Sequence, residues 1–283
     1  MTNNNQNRNF AVIMGAMKCG TTSLFYYLAE HPEIAPAKDK EPHYFAYKKK
    51  YESGLKNYYK LWDLEPENTI SLEASTTYTM HPKYGDVSAR IADVPNADFK
   101  FIYIIRHPFK RIESHIRHLI SEGFQNKVEV IEEHLAFTEY ARQLDFYRDN
   151  FGRDRIYVLL LEDLQANPKA ELRRICQFLD IDADYEFQRL DVVRNSKDTL
   201  NLHPVLRQIY KIPAVKALGS LISPEIRQKL YQPLSRKQTL EVKLSESEKA
   251  QILQRLEPDL MRLQEEYGVD ISKWGLFSNV STT

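Results

Sequence analysis

The sequence predicts an α/β fold, with a central parallel sheet flanked by helices and a largely helical C-terminal third. Three observations carry that expectation. Short apolar runs at Phe10-Ala-Val-Ile-Met-Gly15, Phe99-Lys-Phe-Ile-Tyr-Ile-Ile105 and Arg155-Ile-Tyr-Val-Leu-Leu-Leu161 read as buried strands. Segments with helical spacing separate them, and strands joined by helices imply parallel neighbours covered on both faces. Near the end, Ser245-Glu-Ser-Glu248 reads as a capping box for a helix reaching about Tyr267.

The elements follow in order. Residues 1–9 are polar and are expected to be disordered. After the first strand, Thr21 to Glu30 is expected to be a helix, with Leu24, Tyr27 and Leu28 on one face; it stops before His31-Pro32, since proline disfavours helix in the residue before it. Residues 34–62 read as loop and then helix, rich in aromatics (Tyr44, Phe45, Tyr47, Tyr51, Tyr58, Tyr59, Trp62). Thr69 to Glu73 is a further strand, Lys83 to Ile91 a helix, and Pro108 opens a helix through at least His118. Glu132 to Tyr147 and Pro168 to Leu179 complete the helical segments. No repeat and no Gly-, Pro- or Ser-rich linker divides the chain, so residues 10–283 read as a single domain.

Charge is balanced at 39 basic and 39 acidic residues, which gives no support to a nucleic-acid partner held by bulk charge. Two cysteines, Cys19 and Cys176, make a disulfide framework an unsuitable reading. No run approaches the roughly 18–20 apolar residues that span a bilayer, and the N-terminus lacks a signal-peptide core. A soluble, cytoplasmic protein without membrane contact is expected; the oligomeric state is not legible.

The sharpest motif is Gly15-Ala-Met-Lys18-Cys19-Gly20-Thr21-Thr22-Ser23, set between a strand and a helix. A glycine-bounded loop entering a helix aims backbone N–H groups at one point, where the helix dipole adds positive charge, and so suits a phosphate or sulfate. The spacing matches a Walker A loop except at its key position: Thr21 follows the second glycine, and the lysine stands two residues before it. A second strand–helix junction, Arg106-His-Pro-Phe-Lys-Arg111-Ile-Glu-Ser114, brings an arginine to the carboxyl edge of the sheet, where open α/β folds bind ligands. Ser114 is expected on one helix face with Arg111 and His118. Together the two junctions imply a ligand with two separated anionic groups.

In these residues the chain resembles the sulfotransferases that use 3′-phosphoadenosine 5′-phosphosulfate (PAPS). Lys18-Cys-Gly-Thr-Thr-Ser is similar to their 5′-phosphosulfate loop and Arg106-x7-Ser114 to their 3′-phosphate motif; the closing Asp270-Ile-Ser-Lys-Trp274 also fits. The resemblance implies a P-loop-like sheet, PAPS as donor and 3′-phosphoadenosine 5′-phosphate (PAP) as product. It implies that Lys18 neutralises the leaving phosphate, that Thr21, Thr22 and Ser23 hold the 5′-phosphate, and that Arg106 and Ser114 hold the 3′-phosphate. Arg194-Asn-Ser-Lys197 resembles the late loop that closes over the nucleotide. Glu41, in Lys40-Glu-Pro-His-Tyr-Phe45, resembles the acidic base of the glycan and tyrosyl branches. That role suits a carboxylate whose pKa burial lifts toward neutrality.

Glu73 is the second candidate base. It lies in Ser71-Leu-Glu-Ala-Ser-Thr-Thr-Tyr78, where the chain departs from heparan-type members, which carry a lysine at the place of Ala74. His43, Tyr44, Phe45, Glu73 and Tyr78 are candidate acceptor-binding residues, and the aromatic segment reads equally as pocket or packing. His115 and His118 lack partners for a metal site, so no metal is expected. Cys19, at a helix N-terminus, is expected to be somewhat acidic. The leading expectation is sulfuryl transfer to a hydroxyl or amine of a small-molecule acceptor. The alternatives are an ATP- and magnesium-dependent kinase or NTPase, with Glu162 and Asp163 near the metal, and a nucleotide-binding module without turnover.

Overall fold

The computed structural model of the chain describes residues 8–188, 190 and 241–277. Its strands are β1 (Arg8–Gly15), β2 (Ile34–Pro36), β3 (Ile70–Ala74), β4 (Ala97–Ile105) and β5 (Ile156–Leu160). All pair in parallel, in the order β2-β3-β1-β4-β5. The helices are α1 (Thr21–Leu28), α2 (Lys48–Tyr51), α3 (Leu55–Tyr59), α4 (Val87–Ala92), α5 (Pro108–Ser121), α6 (Glu132–Ala136), α7 (Tyr140–Phe151), α8 (Leu161–Ala166), α9 (Pro168–Leu179) and α10 (Glu246–Tyr267).

Strand periodicity explains the two layers. Phe10, Val12 and Met14 of β1 and Phe99, Phe101, Tyr103 and Ile105 of β4 face the layer built from α4, α5, α7 and α10. The alternate residues Ala11, Ile13, Ile102 and Ile104 face α1, α8 and α9. After β1 the chain turns toward the β3–β2 side, and after β4 toward β5. The crevice between the carboxyl ends of β1 and β4 is therefore the switch point at which such sheets bind ligands.

Several boundaries differ from expectation for local reasons. β1 begins at Arg8, so residues 8 and 9 belong to the sheet rather than to a disordered tail. β2 was not foreseen; it is three residues long and ends in Pro36, which an edge strand tolerates. Within 34–62 the helix is broken into α2 and α3 at Gly54, whose φ of 86° is left-handed. α4 starts only at Val87, where Asp86 accepts a hydrogen bond from the Ala89 N–H at 3.1 Å. The expected helix 132–147 is two helices, because Thr138 at the break donates to the His134 carbonyl and accepts from Arg111 Nη1 at 2.9 Å. α1 stops at Leu28, two residues short of the expected end.

The capping box at Ser245 and Glu248 forms as expected and opens α10. From the interior of α10, buried Asp259 accepts hydrogen bonds from the N–H groups of Ala141 (3.0 Å) and Arg142 (2.8 Å), two of the orphan donors of α7. Burial pushes its carboxyl up to about 6. Among the described residues no helix is long and apolar enough to cross a membrane.

Candidate active site

β1 ends at Gly15, and the chain passes through Lys18 and Gly20 into α1. Lys18 (φ 69°) and Gly20 (φ 90°) both adopt left-handed backbone. A Cβ on Gly20 would lie 2.6 Å from Leu161 Cδ1 at the head of α8, and its φ of 90° is one that residues with a side chain rarely adopt, so the position favours glycine. Gly20 caps α1 without a side-chain hydrogen bond, and the first-turn N–H groups of Thr21 and Thr22 have no intrahelical acceptor. Lys18 is part-buried and makes no ion pair among the described residues. Burial, and then the nearby Arg117, hold its ammonium below the usual lysine pKa.

Cys19 departs from the sequence expectation in its acidity. Its side chain is fully buried in the core, and its N–H is spent on the Ala16 carbonyl at 3.1 Å. Burial pushes the thiol up to about 11, against the expected acidity, because the apolar surroundings outweigh Arg111 and Arg106.

Arg106 emerges from β4 beside this loop. Its Nη1 donates to the Lys18 carbonyl at 3.2 Å, and its own carbonyl accepts from the Tyr140 hydroxyl at 2.8 Å. Its Nε is buried with no hydrogen-bond partner among the described residues. Two junctions separated by 88 residues in sequence thus meet, and they present a lysine, an arginine with an unused donor, and the Thr21 and Thr22 N–H groups, which have no acceptor among the described residues. That donor set fits a bis-anionic ligand. Ser114 is half-buried on α5, whereas Arg111, expected on its face, is 1% exposed and turned inward to the His134 carbonyl and Thr138. Arg194 and Lys197 lie outside the described residues.

On the β3 side, Glu41 and His43 (φ 65° and 52°) form a strained turn gripped by the residues that follow β3. The Glu41 N–H donates to the Ala74 carbonyl at 2.9 Å. Its carboxylate accepts from the Thr76 N–H (3.1 Å), the Thr76 hydroxyl (2.9 Å) and Lys40 Nζ (2.7 Å). Burial alone would raise this carboxyl, but the Lys40 ammonium and the Thr76 donors outweigh it and hold it below the usual carboxylate range. The expected upward shift is therefore reversed. His43 Nδ1 lies 3.0 Å from the Thr77 hydroxyl, and burial keeps the ring's pKa below the usual histidine value.

Glu73 is different. It is 0% exposed, and its carboxylate accepts from the hydroxyls of Tyr58, Ser75 and Tyr78. Burial pushes it up to about 7, but the same burial closes it to solvent, which counts against it as a base. Phe45 and Tyr78 are likewise sealed in the core with Tyr58 and Trp62, so here packing prevails over pocket. Tyr44 is also buried, but borders a surface recess that Lys40, Glu41, Lys50 and Asn57 help to line. The carboxylates suggested for magnesium are partly engaged, although Glu162 Oε2 is buried with no hydrogen-bond partner among the described residues. Glu162 accepts from the His107 N–H at 3.1 Å, and Asp163 accepts from Lys273 Nζ at 2.9 Å.

Sequence reasoning missed Lys40, Thr76, Thr77 and Arg117. The run Ser75-Thr-Thr directly after a buried strand was the available signal for the hydroxyl group.

A family model described as a sulfotransferase domain matches residues 9–203. Heparan sulfate glucosamine 3-O-sulfotransferase 3A1 of Mus musculus is 27% identical over 185 residues, covering 60% of this chain and 45% of that protein. The membrane-associated sulfotransferase kil1 of Dictyostelium discoideum is 36% identical over 139 residues, covering 46% of this chain and 28% of that one. The match thus spans less than half the length of either relative. Among solved structures, a sulfotransferase from Alicyclobacillus acidocaldarius shares the fold with a TM-score of 0.62 at 23% identity, over 95% of this chain and 98% of the other.

Proposed function

Because the chain belongs to the sulfotransferase domain family, we propose that it moves the sulfuryl group of PAPS onto a hydroxyl, or an amine, of a small polar acceptor. The observation that carries the donor assignment is the meeting of Arg106 with the Lys18 loop, where Arg106 Nε is buried without a hydrogen-bond partner among the described residues. Lys18 and the first turn of α1 hold the 5′-phosphosulfate; Arg106 and Ser114 hold the 3′-phosphate. Glu41 takes the acceptor proton as the acceptor oxygen or nitrogen bonds to sulfur. The bridging O–S bond breaks, and its electron pair stays on the 5′-phosphate of PAP, where Lys18 offsets the charge. The lowered pKa keeps Glu41 ionised at neutral pH but makes it a weaker proton acceptor than a carboxylate tuned toward neutrality, so its place beside the recess, and not its basicity, supports the role.

The recess beside Glu41 supports a polar acceptor. Two lysines and an asparagine contribute to its lining, whereas the aromatic residues of the segment are largely core. The heparan-type relatives make saccharides one class to include in an acceptor screen.

Thermal unfolding with PAP in EDTA, set beside ATP with Mg²⁺, tests the donor. Ligand at ~100 times its dissociation constant stabilises the fold by about 2.7 kcal/mol. A shift with PAP and none with Mg-ATP is expected; the reverse would install the variant-P-loop kinase reading in its place.

A further inference from the structure

We propose that Glu73 is a positioning residue, whose buried carboxylate clamps, through the hydroxyls of Ser75 and Tyr78, the backbone turn that presents Glu41. The proposal rests on the reading of Glu41 as the base. It explains a carboxylate that is closed to any substrate yet receives three hydroxyl donors: Tyr58 at 2.9 Å, Tyr78 at 3.2 Å and Ser75 at 3.3 Å.

Two of those hydroxyls have a second task. Ser75 Oγ accepts from the His43 N–H at 3.0 Å, and the Tyr78 hydroxyl accepts from the Phe45 N–H at 3.3 Å. Each hydroxyl owns one proton. Because an ionised carboxylate only accepts, it draws that proton toward itself and turns the hydroxyl lone pairs to the backbone. Glu73 therefore sets the polarity of two relays that end on residues 43 and 45, just past Glu41. The turn they hold is left-handed at Glu41 and His43 and does not keep that shape unaided.

Polarity makes the clamp sensitive to protonation. A proton on Glu73 would bring a fourth hydrogen among three donors, and one hydroxyl would have to turn away. The groups facing Glu73 are Tyr58 from α3, Ser75, Tyr78 from the turn after β3, Tyr147 from α7 and, at longer range, the Glu41 carboxylate. None is a cation. With burial pushing Glu73 up to about 7, the clamp slackens as pH falls through neutrality.

Residue-resolved amide hydrogen exchange on the isotope-labelled full chain tests this without any acceptor. Ser75→Ala should speed exchange at His43 about tenfold while sparing Phe45, and Tyr78→Phe should do the reverse. Glu73→Gln, whose amide introduces donors, should speed both, with the amides of β1 and β4 unchanged as the control for folding. In turnover assays with PAPS, Glu73→Gln should lower kcat, leave KM for PAPS unchanged and remove the limb near pH 7. Unchanged exchange at His43 and Phe45 in Ser75→Ala and Tyr78→Phe would overturn the clamp, even if Glu73→Gln fails to fold. Failure of the Glu41 reading shows separately, as near-normal turnover by Glu41→Gln.

Discussion

Around Lys18 an ammonium and the Arg106 Nε stand without hydrogen-bond or ion-pair partners among the described residues, while around Glu41 both carboxylate oxygens are taken. The donor side holds a lysine with no ion pair among the described residues, an arginine with a buried unused Nε and a helix start with no side-chain cap. Buried polar groups left in that state cost stability unless something supplies the missing acceptors. The side of the proposed base shows the opposite arrangement: Glu41 is held by Lys40 and Thr76, and Glu73 by three hydroxyls. A surface awaiting a tightly charged ligand can leave its valences open for that ligand to close. A proton acceptor that must meet a transient geometry needs its own position fixed beforehand.

The contrast can be broken from either side. The largest expected effect is Glu41→Gln, which should lower turnover about 10²–10⁴-fold and leave the PAP-induced thermal shift intact; loss of the shift would mean the two sides are not separable. Arg106→Ala should weaken PAP by about 10–100-fold in titration calorimetry, in line with ~1.5–3 kcal/mol for a hydrogen bond to a charged group. It should leave exchange of the His43 amide unchanged. The smallest effect sharpens the picture electrostatically. Lys40→Met removes the cation that depresses Glu41, so the carboxyl pKa rises. Since the base must be ionised, the acid limb of the kcat profile should move to higher pH; a move to lower pH would show that Lys40 does not act through Glu41.

Local signals carried much of the fold. β1, β4 and β5 are apolar runs, α9 opens on Pro168, and α10 opens on a capping box; each is specified by residues close in sequence. β2 escaped notice because three residues ending in proline carry no strand period. The break between α6 and α7 depends on Arg111 reaching Thr138 from another helix, which no local pattern encodes. The loop from Gly15 to Ser23 between β1 and α1 was legible as a strand–helix junction for the same reason as the strands, being contiguous. Glu41 was placed by resemblance, but its charge state was misjudged. The Lys40 ammonium that chiefly lowers the carboxyl pKa is its sequence neighbour, which side-chain periodicity alone does not bring round to it, and the Thr76 donors that add to this lie 35 residues away. Cys19 failed through the same gap: its helix-start position was visible and its burial was not.

Asp259 has a consequence for where this protein can be cut. The sheet, the Lys18 loop, Arg106 and the Glu41 turn all lie before residue 190, so a shortened chain ending there would look complete on paper. Yet α10 is the source of the carboxylate that satisfies the start of α7, and its Leu256, Leu260 and Leu263 belong to the same core as β1 and β4. The last helix is thus a keystone rather than an appendage. The stretch proposed to bear the base and the donor loop is smaller than the stretch whose packing α10 completes.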